Sequence, residues 1–182
     1  MSDTYITIVP EKTDKSQAKE LAQKVVDYLI SKRIIDGQLT NCVLSNSLGY
    51  APGDNFASVI EGENYGLKTL QANGLQVETT RQVFDNGGNG LDAITCPDCN
   101  TDIIDSEWGE ALSEWTEGTG KDSITCPGCR ADYSITQYKF NPAWGFGYFG
   151  FTFWNWQELK ADFINELAQV LGKEVTVVYG RV

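Results

Sequence analysis

Two CxxC pairs carry the chemistry that can be read from this chain. Asp92-Ala93-Ile94-Thr95-Cys96-Pro97-Asp98-Cys99 returns thirty positions later as Asp122-Ser123-Ile124-Thr125-Cys126-Pro127-Gly128-Cys129. The echo continues past the cysteines, with Asp102 answered by Asp132 and Ile103 by Tyr133. Four thiolates from two such pairs, 26 residues apart, are the set that closes a tetrahedral metal site. A closed site has no free coordination position, so the spacing predicts a structural metal rather than a catalytic one.

The CPDC and CPGC sequences resemble the knuckles of zinc ribbons and of rubredoxin-like domains, over about 45 of the 182 residues. The resemblance implies Cys96, Cys99, Cys126 and Cys129 as the ligands. In a knuckle the first thiolate accepts hydrogen bonds from the backbone N–H groups that follow it, which lets several thiolates surround one cation. Pro97 and Pro127 fix the turn, and Asp98 or Gly128 lets the chain fold back. Asn100 and Arg130 stand where glycine commonly follows the second Cys, a departure that bears on the turn geometry. Zinc and iron both suit four thiolates at this spacing. The inserted position and the lack of a redox-partner site favour structural Zn²⁺ over iron. Such a site contributes on the order of 10–16 kcal/mol of apparent binding free energy to folding. The pairs also resemble a glutaredoxin-type dithiol. That chemistry needs one pair with a stabilised thiolate, whereas ten carboxylates surround these two and raise the thiol pKa.

Several activities are excluded by composition. The chain has no histidine, so Cys-His and Ser-His-Asp machineries are absent. Cys42 reads as a small buried hydrophobe. Gly87-Gly88-Asn89-Gly90 and Gly118-Thr119-Gly120-Lys121 do not complete a phosphate loop, and no EF-hand spacing is present. The formal net charge is −11. Ten acids against Lys121 and Arg130 put −8 of it between Asp92 and Tyr133. Nucleic-acid binding draws on Lys and Arg, so this segment should repel a duplex, and anionic membrane surfaces likewise. No apolar run approaches membrane-spanning length, and Met1-Ser2-Asp3-Thr4 does not read as a signal peptide. A cytoplasmic address is the simplest, and metal-type cysteine spacing agrees with it.

The elements that must position the cysteines follow from periodicity. Tyr5–Val9 alternates as a strand ended by Pro10. Asp14 or Ser16 caps a helix running to about Ile35, with Ala18, Leu21, Ala22, Val25 and Leu29 on one stripe and Gly37 as its stop. Cys42-Val43-Leu44 suggests a short strand, Gly49–Asn55 a loop, and Leu75–Phe84 a strand. Asp85–Gly90 reads as a flexible hinge into the metal module. Ile104, Trp108, Leu112 and Trp115 share one face of a short acidic helix ended by Gly118-Thr119-Gly120. Tyr133–Phe140 reads as a strand leading out. Of the thirteen residues Trp144–Trp156, eight are aromatic and three are glycine, which predicts a strand packing large rings. Asn155 and Glu158 resemble a capping box for a helix to Leu171, with Leu159, Phe163, Leu167 and Val170 inward and Gly172 as C-cap. Glu174–Tyr179 is the last strand.

The order predicts an α+β protein, a ferredoxin-like βαββαβ sheet with an inserted Cys₄ zinc-ribbon-like module. Residues 1–90 and 136–182 together form the α+β domain, and 91–135 the module. A less regular sheet, with an extra strand from 41–73, is the alternative. The expected role is protein binding, as an adaptor, through a partner with a basic face that meets the acidic module. Trp108 and Trp115 are its candidate anchors, provided they are exposed. The competing readings are an iron electron carrier, or an enzyme using Asp54, Glu61 and Glu63 near Tyr50 and Tyr65.

Overall fold

The computed structural model describes residues 2–63 and 66–182. The first strand, β1 (Thr4–Pro10), buries Ile6 and Ile8 on one face and Thr7 and Val9 on the other. Helix α1 (Lys15–Ser31) is capped by Asp14, whose carboxylate accepts from the backbone N–H of Ser16 and Gln17. Its stripe Ala18, Ala22, Val25, Val26 and Leu29 is buried. The helix ends four residues earlier than the periodicity suggests. Arg33 turns left-handed at φ 58° and the Ile34 N–H bonds the Leu29 carbonyl, which reverses the chain. Ile35 then opens strand β2 (Ile35–Thr40) instead of closing the helix.

Cys42–Leu44 is irregular rather than extended, because the Cys42 carbonyl is occupied by the N–H groups of Asn73 and Gly74. The supposed loop at Gly49 begins as strand β3 (Gly49–Pro52), paired with β2. Leu75–Phe84 divides into β4 (Leu75–Glu78) and β5 (Gln82–Phe84), which join different sheets. Beyond them lie β6 (Ala93–Thr95), helix α2 (Trp108–Glu117), β7 (Ser123–Thr125), β8 (Asp132–Ser134) and β9 (Lys139–Asn141). A 3₁₀ turn at Ile135–Gln137, with Ser134 and Gln137 as a capping box, interrupts what reads as one strand from Tyr133 to Phe140. The aromatic run likewise splits, into β10 (Gly145–Gly147) and β11 (Gly150–Trp154).

Helix α3 (Ala161–Leu171) starts after Lys160, not after Asn155. Asn155 is left-handed at φ 58°, and its side chain accepts from the Thr4 N–H and donates to the carbonyl of Ala72. It therefore ties three segments together and caps none. Phe163, Leu167 and Leu171 are the buried face of α3, with Gly172 closing it at φ 66°. Strand β12 (Val175–Arg181) completes the chain.

The main sheet has the order β12-β1-β11-β4-β3-β2, with every pair antiparallel. The protein is thus a mixed α/β structure on a mainly antiparallel sheet. Helices α1 and α3 pack with Phe149, Phe151 and Phe153, all fully buried, into the larger core. Burial of each such ring stabilises by roughly 1.5–3 kcal/mol. The paired strands β5 and β10 lie against Val9, where a Cβ on Gly145 would approach its Cγ2 to 2.6 Å. Asp85–Gly90 is pinned rather than loose. Asn86 is buried and donates to the Gly90 carbonyl, Asn89 donates to Arg181, and the Tyr5 hydroxyl donates to the Asp85 carbonyl.

Candidate metal centre

The sequence repeat is a structural repeat. Strand β6 leads into the first hook, where the Cys96 N–H bonds the Thr101 carbonyl and the Asn100 N–H bonds the Cys96 carbonyl. Strand β7 leads into the second, where Cys126 and Ala131, and Arg130 and Cys126, make the same two bonds. Asn100 (φ 58°) and Arg130 (φ 64°) are both left-handed. The turn that glycine usually makes is therefore adopted by residues bearing a side chain, at a local cost of about 1–2 kcal/mol each. Asp102 braces the first hook, its Oδ1 accepting from Ile94 and Ile104 N–H at 3.0 Å.

Four sulfurs converge where the hooks meet. All lie within 4.8 Å of one another, with Cys96 Sγ 3.9 Å from Cys129 Sγ and Cys99 Sγ 3.5 Å from Cys126 Sγ. A tetrahedron with bonds of ~2.3 Å to sulfur has edges of about 3.8 Å, so the four residues fit one ion. The cysteines are free, and these separations are far beyond the ~2.05 Å of a disulfide. Cys96 and Cys126 are buried, Cys129 is half-buried and Cys99 is exposed.

The electrostatics of the cluster favour a cation. The Thr101 hydroxyl, 3.1 Å from Cys99 Sγ, and the Thr101 backbone hold that thiol down to about 6. At Cys129 the Ala131 backbone N–H acts downward. Burial and the neighbouring thiols Cys126, Cys99 and Cys96 outweigh it and push the group up to about 12. Four sulfurs this close cannot all ionise alone, and a dication removes that conflict.

Around the hooks is a second apolar core of Ile94, Ile103, Ala111, Trp115, Ile135, Tyr138 and Phe140, with Val83, Trp144 and Phe146 packed on it. Trp115 is buried in this core, its ring edge-on to Phe146. Trp108 is half-buried, edge-on to Phe140 and Trp144, with its indole N–H donating to the Ile104 carbonyl. Trp115 lacks the exposure that an anchor role requires, whereas Trp108 keeps part of its surface open.

The 49–65 carboxylates do not gather into a site. Asp54 is ion-paired with Arg33 and Lys68, while Glu61 and Glu63 are exposed. Tyr50 packs on the large core, and Tyr65 lies outside the described residues. Cys42 is buried, with its sulfur close against Gly74. Thr101 beside Cys99, and Arg81 over Trp115, escape sequence reasoning, because nothing in their local pattern marks them. No protein-family model, no curated protein and no solved structure matches this chain. Four cysteines within metal-binding distance make it a candidate metal-binding protein on its own geometry.

Proposed function

We propose that this chain is a zinc-binding protein whose Cys₄ site is structural and whose role is to bind another protein. The observation that carries the metal reading is the convergence of four sulfurs within 4.8 Å. Cys96, Cys99, Cys126 and Cys129 would hold the ion, and with four thiolates it supplies folding stability and no open position for a substrate. Elemental analysis of the purified protein tests this: one zinc per chain is expected. A red protein containing iron would replace zinc with the electron-carrier reading, and a metal-free folded chain would end both.

The adaptor role is supported by charge. Eight of the ten module acids are exposed, Asp98, Asp105, Glu107, Glu110 and Glu117 among them. A partner with a basic face complements them, and its association should weaken steeply with salt. Neutralising Asp98, Glu107 and Glu110 to the amides should abolish a salt-sensitive complex. A complex indifferent to that change would overturn this role.

The same reading treats the body as a ferredoxin-like βαββαβ unit extended by β2 and β3, with 91–135 as the inserted module. The order β12-β1-β11-β4, with α1 and α3 sharing one core, supports it. Free, metal-type cysteines fit a reducing, cytoplasmic setting. Among the described residues no helix is long and apolar enough to cross a membrane.

A further inference from the structure

A cleft of about 760 Å³ opens between the chain following β1 and the segment that includes β9 and β10, with Pro97 of the first hook on its wall. That volume is in the range of small-molecule sites, which favour junctions of this kind. Trp115, Trp144, Phe146 and Tyr148 line it. Lys12 and Lys139 stand exposed on its rim.

The rim also carries Glu11 and Asp14, so its formal charges sum to zero. Glu11 accepts from the Thr176 hydroxyl at 3.2 Å, and Asp14 is engaged as the cap of α1. Neither Lys12 nor Lys139 has a carboxylate partner: among the described residues the ion pairs are those of Asp54 with Arg33 and Lys68. Lys12 is also held left-handed at φ 52°, its carbonyl accepting from Lys173 Nζ at 3.0 Å. Backbone strain of this kind costs on the order of 1–3 kcal/mol and persists where its surroundings impose it. In a chain of net charge −11, a cleft lining that is neutral overall and holds two ammonium groups without a carboxylate partner departs from the acidic surface around it. The aromatic run alone has no basic residue, and the fold brings these two from elsewhere.

We propose that this cleft binds a small organic anion built on a planar ring, of the size and chemistry of a nucleoside monophosphate. The ring packs among the aromatic walls, and the anionic group lies between Lys12 and Lys139. A polynucleotide is a poor occupant, since the module's charge of −8 opposes a phosphate chain. This inference does not need the adaptor role.

The metal-loaded 182-residue chain tests it by calorimetric titration with AMP, adenosine, inorganic phosphate and 2-naphthoate. AMP or 2-naphthoate should bind, with adenosine and phosphate at least about tenfold weaker. Binding of AMP alone makes the ligand a nucleotide, and of naphthoate as well, any ring-borne anion. Either upholds the proposal. Lys12→Glu with Lys139→Glu should weaken binding at least about tenfold, while Lys24→Glu on α1 changes it less than about twofold. Unchanged circular dichroism and metal content identify variants that remain folded. The proposal is overturned by no binding of either anion at about 1 mM, by adenosine equalling AMP, or by a double variant that is folded and binds normally.

Discussion

The guanidinium of Arg81 sits 4.5 Å from the ring centre of Trp115, and its Nη1 donates to the Tyr148 hydroxyl at 3.1 Å. Arg81 lies between β4 and β5, Trp115 on α2, and Tyr148 between β10 and β11, so one side chain ties the smaller, cysteine-bearing core to the loops that flank β5 and β10. Arg81→Gln should destabilise by about 1–2 kcal/mol, as loss of a partly desolvated cation–π contact does. A urea-denaturation cycle with Trp115→Leu should give a coupling of the same size. Additive single effects would show that Arg81 merely fills space.

Metal removal should dismantle the smaller core before the larger one. Chelation is expected to abolish the near-ultraviolet circular dichroism of Trp108, Trp115 and Trp144 while the far-ultraviolet strand signal of the main sheet largely persists. Cys126→Ser should remove stoichiometric metal. Thr101→Val, which keeps shape and deletes the hydroxyl beside Cys99, should weaken affinity about tenfold in a chelator competition. Because binding displaces protons from thiols, affinity in every variant should fall as the pH falls.

The two left-handed hook residues give a test in the stabilising direction. Arg130→Gly should raise stability by about 0.5–1 kcal/mol, since relief of backbone strain exceeds the added entropy of the unfolded glycine. Asn100→Gly should gain less, because asparagine tolerates this conformation better than arginine does. Thermal melts of the metal-loaded proteins measure both. Gly128 offers the opposite result: a Cβ there would lie 2.1 Å from Thr101 Oγ1, so Gly128→Ala should destabilise the site.

Tyr5 links stability to alkaline pH. Burial first, and then the Asp85 charge, push its hydroxyl up to about 12, against an ordinary value of 10.0. A folded pKa above the unfolded one means that the contribution is complete below pH ~10 and is lost as pH rises from about 10 to 12. The protein should therefore lose stability across that window, and Tyr5→Phe should flatten this part of the profile. Denaturation at pH 9 and at pH 11, in both proteins, measures the difference.

The convergence of the four cysteines was legible because its determinants are local. A repeated eight-residue phrase sets two hooks, and each hook closes on its own backbone bonds. Helix ends marked by Gly118 and Gly172 were legible for the same reason. What failed was continuity. Leu75–Phe84, Tyr133–Phe140 and Trp144–Trp156 each look like one strand, because apolar alternation does not record which sheet a residue joins. Their breaks are set by distant partners: β4 follows β11, and β5 follows β10. Asn155 misled for a similar reason, its amide bonding Ala72, which is 83 positions away in sequence. The aromatic cleft was hard to see in sequence because Lys12 and Trp115 lie far along the chain from the Trp144–Tyr148 run that they accompany.

One consequence of the paired hooks concerns cleavage. A metal held by the four sulfurs would link the two ends of the 26-residue stretch between Cys99 and Cys126. A protease that nicked the exposed run Glu117–Lys121 would then leave two fragments clasped through sulfur. They would travel together on a native column, and a chelator alone would not part them, since β1 pairs with β11 and β12 across the nick.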